Sequence, residues 1–460
     1  MKNLISIISA LLFSILFYGK NIGLNLSLFS VLIISALFIQ HKKAFKQKST
    51  VAYAILYLLT AFAVFIYNNS LSIIANTIAL ITLVGQISTP NASLYINWLN
   101  GLYSTIAGLF HRHFNTIEKE EKKVLNKNID YLHLFKIISV PIVVIVLFIC
   151  LYKDGNPVFN NLINHIDFSF INLQWILLAV LGYYLIDNIS KPIAVNPATT
   201  IDAETGNLLI KEEQKQEQAN LIKEHQFGFI LIFALNVLII LFLITDFTYL
   251  TTSTDFRAPS FSNQVHSSIY TLIASIIIAI IIILYFFRGE LNFYKKNKGL
   301  KVVAFAWISL NAILIINIAI KDFQYIYYFG LTYKRIGVLV YLLLTIIGLT
   351  TTYIKIKNIN NLWYLFRINT LTAFTILIVS CTINWDSFIT IYNLNYSKSM
   401  DFKYLIKLSN NNTFILKNYL DKKSLNQKQT RAINRKYKRY LKTLSKNTWQ
   451  EIHFDNLKIK

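Results

Sequence analysis

One uncharged apolar run constrains the fold of this chain more than any other feature of its sequence. The segment TLIASIIIAIIIILYFF (271–287) contains no charged residue. A helix on the surface of a soluble protein needs a polar face, whereas a bilayer core of ~30 Å needs about 20 apolar residues per helix, with a range of ~17–25. Charged residues make up 15% of the chain, against about 25% in soluble globular proteins. The sequence therefore predicts a membrane-spanning protein.

Apolar runs recur along the whole chain and predict about eleven spans. The first follows Lys2 as in a signal peptide, but no small-x-small cleavage site follows it, so we interpret it as a retained span. The predicted fold class is all-α, a polytopic transmembrane helix bundle (1–390) with a small helical basic tail (391–460). The predicted spans are 4–19, 24–40, 51–67, 71–87, 132–152, 171–187, 227–249, 267–287, 302–320, 336–354 and 367–384.

Lysine and arginine in alternate loops indicate the orientation, because cytoplasmic loops carry an excess of these residues. With the N-terminus inside, the inner segments hold 22 cations and the outer loops hold 6. An odd number of spans then places the C-terminal tail outside, although the tail carries 16 of the 45 cations. Long tails follow the charge rule weakly. Ten or twelve spans with the tail inside are the alternative.

Two segments outside the spans have a helical pattern. Trp98, Leu102, Ile106 and Phe110 recur every four residues, which is typical of an amphipathic helix at the membrane interface. In the tail, QKQTRAINRKYKRYLKTLSK (427–446) places apolar and aromatic side chains on one face of a predicted helix. Its cations, including Arg431, Arg435, Lys436, Lys438 and Arg439, occupy the rest of the helix. Such a helix suits an anionic membrane surface or an acidic protein partner.

Polar residues within the spans are mainly asparagines, with Asn236, Asn311 and Asn317 among them. Asparagine in a span usually forms a hydrogen bond to another helix. Proton- or ion-coupled transporters normally carry buried carboxylates or histidines, and the middles of the predicted spans lack them. A carrier of lipid or another apolar substrate remains possible.

The predicted outer face gathers charged and aromatic residues near spans eight to eleven. Tyrosine, tryptophan and cations at this depth form an interfacial belt in many membrane proteins. The alternative is a site for an anionic ligand or partner, in which Arg335 pairs with Asp386 or Asp246. The candidate residues are Lys334, Arg335, His266, Arg257, Tyr333 and Asp386.

The sequence predicts no enzyme and no cofactor. His266 precedes Ser267 and Ser268, but neighbouring residues on a helix do not face one another. His111 and His113 point to different sides of a helix, so no metal site is predicted. Cys150 and Cys381 are the two cysteines of the chain. A disulfide between them is the alternative to two unpaired thiols.

Several blocks of the second half carry a family resemblance: HSSIYTLIASI and YFFRGELNF within 266–293, LTYKRIGV (331–338), WDSFITIYNL (385–394), MDFKYLIKLS (400–409) and TWQEI (448–452). Together they resemble a bacterial multi-pass membrane family that is known only as a domain of unknown function. The resemblance covers roughly 260–452. It implies an integral protein of the bacterial inner membrane and brings no activity, ligand or catalytic residue with it.

These observations together favour a non-enzymatic sensory, regulatory or scaffolding membrane component that engages membrane lipids. Its outer face would bind an anionic lipid headgroup or an acidic protein, and no nucleic acid is expected. A transporter or lipid-handling carrier with a path between spans eight and eleven is the alternative. An intramembrane transferase would need a convergent pocket of His, Asp and Arg, which the sequence does not indicate.

Overall fold

The protein is an all-α helical bundle, as predicted. The structure is a computed structural model that describes residues 2–120, 172–211, 218–252 and 259–459, together with parts of 141–159. Within these ranges no β-strand forms, and Leu208 and Asn360 make an isolated bridge. The helices are α1 (Lys2–Phe17), α2 (Leu24–Gln40), α3 (Lys48–Tyr67), α4 (Ser70–Ser88), α5 (Leu94–Glu120), α6 (Leu173–Ser190), α7 (Ala198–Glu204), α8 (Gln218–Thr252), α9 (Pro259–Phe286), α10 (Lys298–Phe329), α11 (Tyr333–Asn358), α12 (Leu362–Cys381), α13 (Trp385–Tyr396), α14 (Phe402–Lys407), α15 (Thr413–Lys422) and α16 (Gln427–Leu444).

The predicted spans coincide with helices wherever the structure describes them. Among the residues that the structure describes, seven helices are long and apolar enough to cross a membrane, and three further apolar helices are shorter. The remaining predicted span, 132–152, lies mostly outside the described residues. At the two ends of α6, Arg112 bonds the Lys191 carbonyl and Asn172 bonds Tyr18.

Polar residues in the turns define where many of the helices begin. In each case a side-chain oxygen accepts a hydrogen bond from a backbone N–H in the first turn, which satisfies a group that has no partner within the helix. These N-cap residues are Asn69, Asn172, Thr332, Asn361, Asn384, Asp401 and Asn426.

Two hydrophobic cores organise the membrane part. The first joins α1–α4 and α6 with residues of α5 and α12, and the second joins α8–α11. Helix α12 also packs against α11, so it connects the two cores. Helix α5 crosses α4 closely at Gly85, where a Cβ would lie 1.8 Å from the Asn97 carbonyl oxygen. Leu102, Ile106 and Phe110 of α5 are exposed, whereas Trp98 of the same pattern packs against the first core. The interfacial location of this helix stays a prediction.

The tail, which comprises α13–α16 and the residues that follow, covers one end of the bundle. It contacts three turns there, through Ile452 to Leu24 (2.8 Å), Asn411 to the Tyr67 carbonyl (2.7 Å), and Tyr404 to Tyr333 (3.0 Å). We call this the tail end and the opposite one the loop end. Helix α13 continues through residue 390, where the sequence analysis divides bundle from tail, and that division stays a prediction.

Candidate functional site

Lys334 and Arg335 begin α11 at the tail end, but their side chains have different surroundings. Lys334 is exposed, whereas Arg335 is only 6% exposed. The Arg335 guanidinium donates to the Gly330 carbonyl and lies 4.0 Å from the centre of the Tyr325 ring. Arg335 therefore holds the turn between α10 and α11 together and offers little surface to an external ligand.

The electrostatic partner of Arg335 is Asp322 on α10. Asp322 is fully buried, neither of its carboxylate oxygens forms a hydrogen bond within the described residues, and the same holds for Nε of Arg335. The two charges attract one another, although they are not in direct ion-pair contact. A carboxylate without hydrogen bonds in a spanning helix is costly, so the nearby guanidinium is needed to offset its burial.

The pairing that the sequence suggested for Arg335 does not occur in the structure. Asp386 accepts hydrogen bonds from the Tyr333 hydroxyl (2.8 Å) and from Ser409 of the tail. Asp246 forms an ion pair with Lys321 (2.5 Å). Tyr333 and Asp386 thus come together as one small cluster, which ties α11 to the tail. Both of the expected acidic partners of Arg335 are engaged by other residues.

The remaining predicted residues are distributed over the membrane part. Asn236 donates to the Val303 carbonyl of α10 (2.9 Å), and Asn317 donates to Asp246 of α8, so both join neighbouring helices. Asn311 donates to a carbonyl of its own helix (2.8 Å). Arg257 and Cys150 lie outside the described residues, as does the side chain of His266. Cys381 is buried.

Lys436 is the one cation of the predicted tail face that is used internally. Its ammonium group donates to the carbonyls of Leu408 (2.8 Å) and Ser409 (2.9 Å) and to Oδ1 of Asn412 (2.7 Å). Burial lowers the pKa of Lys436 to about 8, and the Asp386 carboxylate opposes this shift. Lys436 therefore closes the end of α14 by binding carbonyls that the helix leaves free.

The other cations of α16 form an exposed stripe. Six of them fall within an arc of roughly 100° at 3.6 residues per turn, opposite the buried Ile433, Tyr440 and Leu444. All six are exposed, and no ion pair joins them to a carboxylate within the described residues. We call this set the basic stripe: Lys428, Arg431, Arg435, Lys438, Arg439 and Lys442.

A second feature of the tail is a set of exposed apolar side chains. They lie on α13, which follows the last spanning helix, and on the segment that contacts the ends of α2 and α3. Large apolar and aromatic residues at this level are typical of the membrane–water interface. This apolar rim consists of Phe388, Ile391, Tyr396, Trp449, Phe454, Leu457 and Ile459.

The TWQEI motif fastens the tail to the turn between α1 and α2. The Glu451 carboxylate accepts hydrogen bonds from the backbone and side-chain nitrogens of Asn21, both at 2.8 Å. It also accepts from the backbone nitrogen and hydroxyl of Thr448, both at 3.0 Å. Burial alone would raise the pKa of Glu451, but these hydrogen bonds lower it to about 2. We call this contact the Glu451 latch.

The loop end holds a buried polar cluster that no sequence pattern predicts. Arg367 of α12 donates to Ser93 (2.8 Å), to the carboxylate of Asp202 (3.0 Å) and to the Thr205 carbonyl (2.7 Å). Tyr95 also donates to Asp202 (2.5 Å). Burial tends to raise the pKa of Asp202, but its hydrogen bonds bring it below the ordinary value. A cavity of about 490 Å³ adjoins the cluster.

No local pattern could have revealed this cluster, since Ser93 and Arg367 are 274 positions apart. Its polar groups bond mainly to one another, so it clamps the 198–208 region to α12. Within the described residues, no group of three or more His, Cys, Asp or Glu could hold a metal ion.

Comparison with known proteins identifies the family. No curated protein and no solved structure matches the chain. The family model described as a domain of unknown function, DUF4153, matches residues 7–419. The match extends through the first half of the chain, beyond the expected 260–452, and it ends before the TWQEI motif. Because it covers most of the sequence, the chain belongs to the DUF4153 family.

Proposed function

We propose that this protein is a non-enzymatic scaffolding component of the bacterial inner membrane, whose tail gathers anionic lipid headgroups. The observation that carries the proposal is the basic stripe, in which six exposed cations share one face of α16. Each cation near an anionic membrane surface contributes about 1 kcal/mol to its attraction. The Glu451 latch and the Tyr333–Asp386 cluster hold the tail against the bundle, so the stripe is presented on a fixed platform.

The apolar rim favours a lipid surface over an acidic protein as the partner. A segment that combines a basic face with exposed aromatic and apolar residues is typical of proteins that lie in the headgroup region. Phe388 and Ile391 follow directly after a spanning helix, and Trp449 and Phe454 lie beside the ends of two others. The tail therefore combines anchors for the interface with cations for the phosphate groups.

Local enrichment of anionic lipid tests this proposal. The full chain, with a fluorophore at its C-terminus, is placed in nanodiscs of neutral lipid that contain small amounts of labelled anionic or labelled neutral lipid. We expect energy transfer to the anionic lipid to exceed transfer to the neutral lipid, and the excess to fall at high salt. Replacing Arg431, Arg435, Lys438 and Arg439 together by glutamine should remove most of the excess.

A matched control separates the stripe from net charge. Replacing Lys42, Lys43, Lys46 and Lys48 by glutamine removes the same charge from exposed positions at the loop end, and should leave the excess at the tail unchanged. Equal transfer to both lipids in the unmodified chain would contradict the proposal. Binding of polyglutamate to the stripe without enrichment of lipid would also contradict it and would indicate an acidic protein partner.

We also propose that the N-terminus lies inside the cell and the tail outside. The 22-to-6 distribution of cations supports the first part. The latch supports the second, because it holds the tail at the far end of α1 from the N-terminus. The test uses a phosphatase that is active only outside the inner membrane. It should be active when fused after residue 460 and inactive when fused after Gln47. The opposite pair of results would reverse the orientation.

A lipid-handling carrier is the second candidate function. It is supported by an apolar cavity of about 400 Å³ at mid-height between α8, α9 and α10. The cavity overlaps in part the path that the sequence placed between spans eight and eleven.

A further inference from the structure

The cavity between α8, α9 and α10 lies at the middle of three spanning helices. Its walls come from 235–242 of α8, 272–282 of α9 and 307–314 of α10. The ranges on α8 and α10 lie at least two turns from the ends of their helices, and the range on α9 ends about one turn before Phe286. The cavity is partly open to the outer surface of the bundle, where its wall residues Leu238 and Ile278 are exposed. At this depth the cavity is accessible to a ligand from the bilayer.

The chemistry of the walls selects an apolar occupant. Among the described wall residues, the polar side-chain groups are those of Ser275 and Asn311 and the indole N–H of Trp307. The Ser275 hydroxyl donates to the Leu272 carbonyl (2.7 Å), and the Asn311 amide donates to the Trp307 carbonyl (2.8 Å). Both groups thus donate to their own helices. Cavities with such apolar walls do not hold water and do bind hydrocarbons.

The surroundings of the cavity identify which hydrocarbon is available. Leu238 and Ile278, which belong to its walls, are 61% and 56% exposed. They continue into the apolar outer surface of the spanning helices, which faces lipid. We propose that the cavity is a binding site for the hydrocarbon chain of a membrane lipid, which enters laterally between α8 and α9 and reaches Trp307. This site is independent of the partner of the tail and does not require transport.

Trp307 provides a direct readout of occupancy. Its side chain lines the cavity but is only 5% exposed, so a lipid chain contacts the indole by entering the cavity. Bromine atoms on a lipid chain quench tryptophan fluorescence on contact. The full chain is reconstituted in phosphatidylcholine with or without bromine at mid-chain, and the emission of Trp307 is obtained by subtracting that of a Trp307→Phe variant.

We expect brominated lipid to quench the Trp307 emission at least twofold, with mid-chain bromine more effective than bromine near the headgroup. Ser275→Phe narrows the cavity and should abolish most of this quenching. Ala274→Phe adds the same aromatic group at the neighbouring exposed position, outside the cavity. This variant should leave the quenching unchanged. Thermal unfolding of each variant verifies that the bundle is intact.

Two results would overturn the proposal. Unquenched Trp307 emission in the unmodified chain would mean that no lipid chain enters, whether the cavity is closed or filled by a second copy of the protein. Equal quenching in Ser275→Phe and Ala274→Phe would mean that bromine reaches Trp307 by another route. Neither result bears on lipid enrichment at the tail, so the two proposals fail separately.

Discussion

Replacing Glu451 by glutamine is expected to release the end of the tail from the turn between α1 and α2. Four hydrogen bonds converge on the carboxylate, and a neutral amide offers a single oxygen without the charge. A hydrogen bond to a charged group contributes about 1.5–3 kcal/mol. A loss of about 2 kcal/mol raises the open fraction of the latch roughly thirtyfold. Trypsin should then cleave the 428–446 region correspondingly faster.

The control for this change is Glu204→Gln. Glu204 is exposed at the loop end, and its substitution removes the same charge. The cleavage pattern of this variant should therefore match that of the unmodified chain. Gly23→Ala tests the same contact sterically, because a Cβ at this position would lie 2.4 Å from the Glu451 carbonyl oxygen. If Glu451→Gln and Glu204→Gln were cleaved at equal rates, the latch would not hold the tail.

The latch should also weaken in acid. The pKa of Glu451 is lowered from 4.5 to about 2 in the folded protein, so the folded state binds this proton less readily than the unfolded state. Its contribution to stability is therefore complete above about pH 4.5 and is lost as the pH falls toward 2. With pepsin as the protease, the difference in cleavage rate of the tail between the unmodified chain and Glu451→Gln should shrink as the pH falls through this range.

The spans were predictable because their signal is local. An uncharged run of sufficient length specifies a spanning helix by itself, and polar caps such as Asn69 and Asn361 mark where the helices begin. The tail helix α16 was predictable for the same reason, since the periodicity of apolar residues around Ile433 lies within one segment. Local patterns thus account for the elements and for most of their bounds.

The contacts between elements were not predictable, because they join distant parts of the chain. Asn21 and Glu451 are 430 positions apart, and no periodicity relates them. Lys436 shows a subtler limit. It lies on the flank of α16 between the basic arc and the buried face, where a helical pattern cannot distinguish an exposed cation from one that binds the carbonyls of a neighbouring helix.

Buried charges were underestimated for a related reason. Asp322 and Lys355 lie near the ends of their spans, where the sequence suggests exposure to headgroups. The structure buries both, with the Lys355 ammonium donating to the Phe287 carbonyl (2.6 Å). Burial at a span end depends on what covers that end, and at Asp322 the covering turn carries Arg335. The sequence placed Arg335 at the start of a spanning helix but did not predict its internal role.

Replacing Arg335 by methionine is expected to destabilise the tail end more than removal of any exposed cation. The change leaves Asp322 fully buried, without a hydrogen bond and without its charged partner. Removing one member of a buried pair costs up to about 3–5 kcal/mol while the remaining charge stays out of water, and less once that group takes up a proton. The apparent unfolding temperature in detergent should fall by several degrees, while membrane insertion, set by charge in the other loops, should be unaffected.

Two further variants show whether the uncompensated charge is the cause. Lys334→Met removes the adjacent exposed cation and should unfold at nearly the same temperature as the unmodified chain. Arg335→Met combined with Asp322→Leu removes both buried charges and should recover most of the lost stability, since an apolar pair can replace a buried ionic one. A double variant as unstable as Arg335→Met alone would instead assign the loss to the Gly330 and Tyr325 contacts. Recovery would establish that Arg335 serves the interior of the protein, which leaves the exposed cations of the tail to meet the lipid.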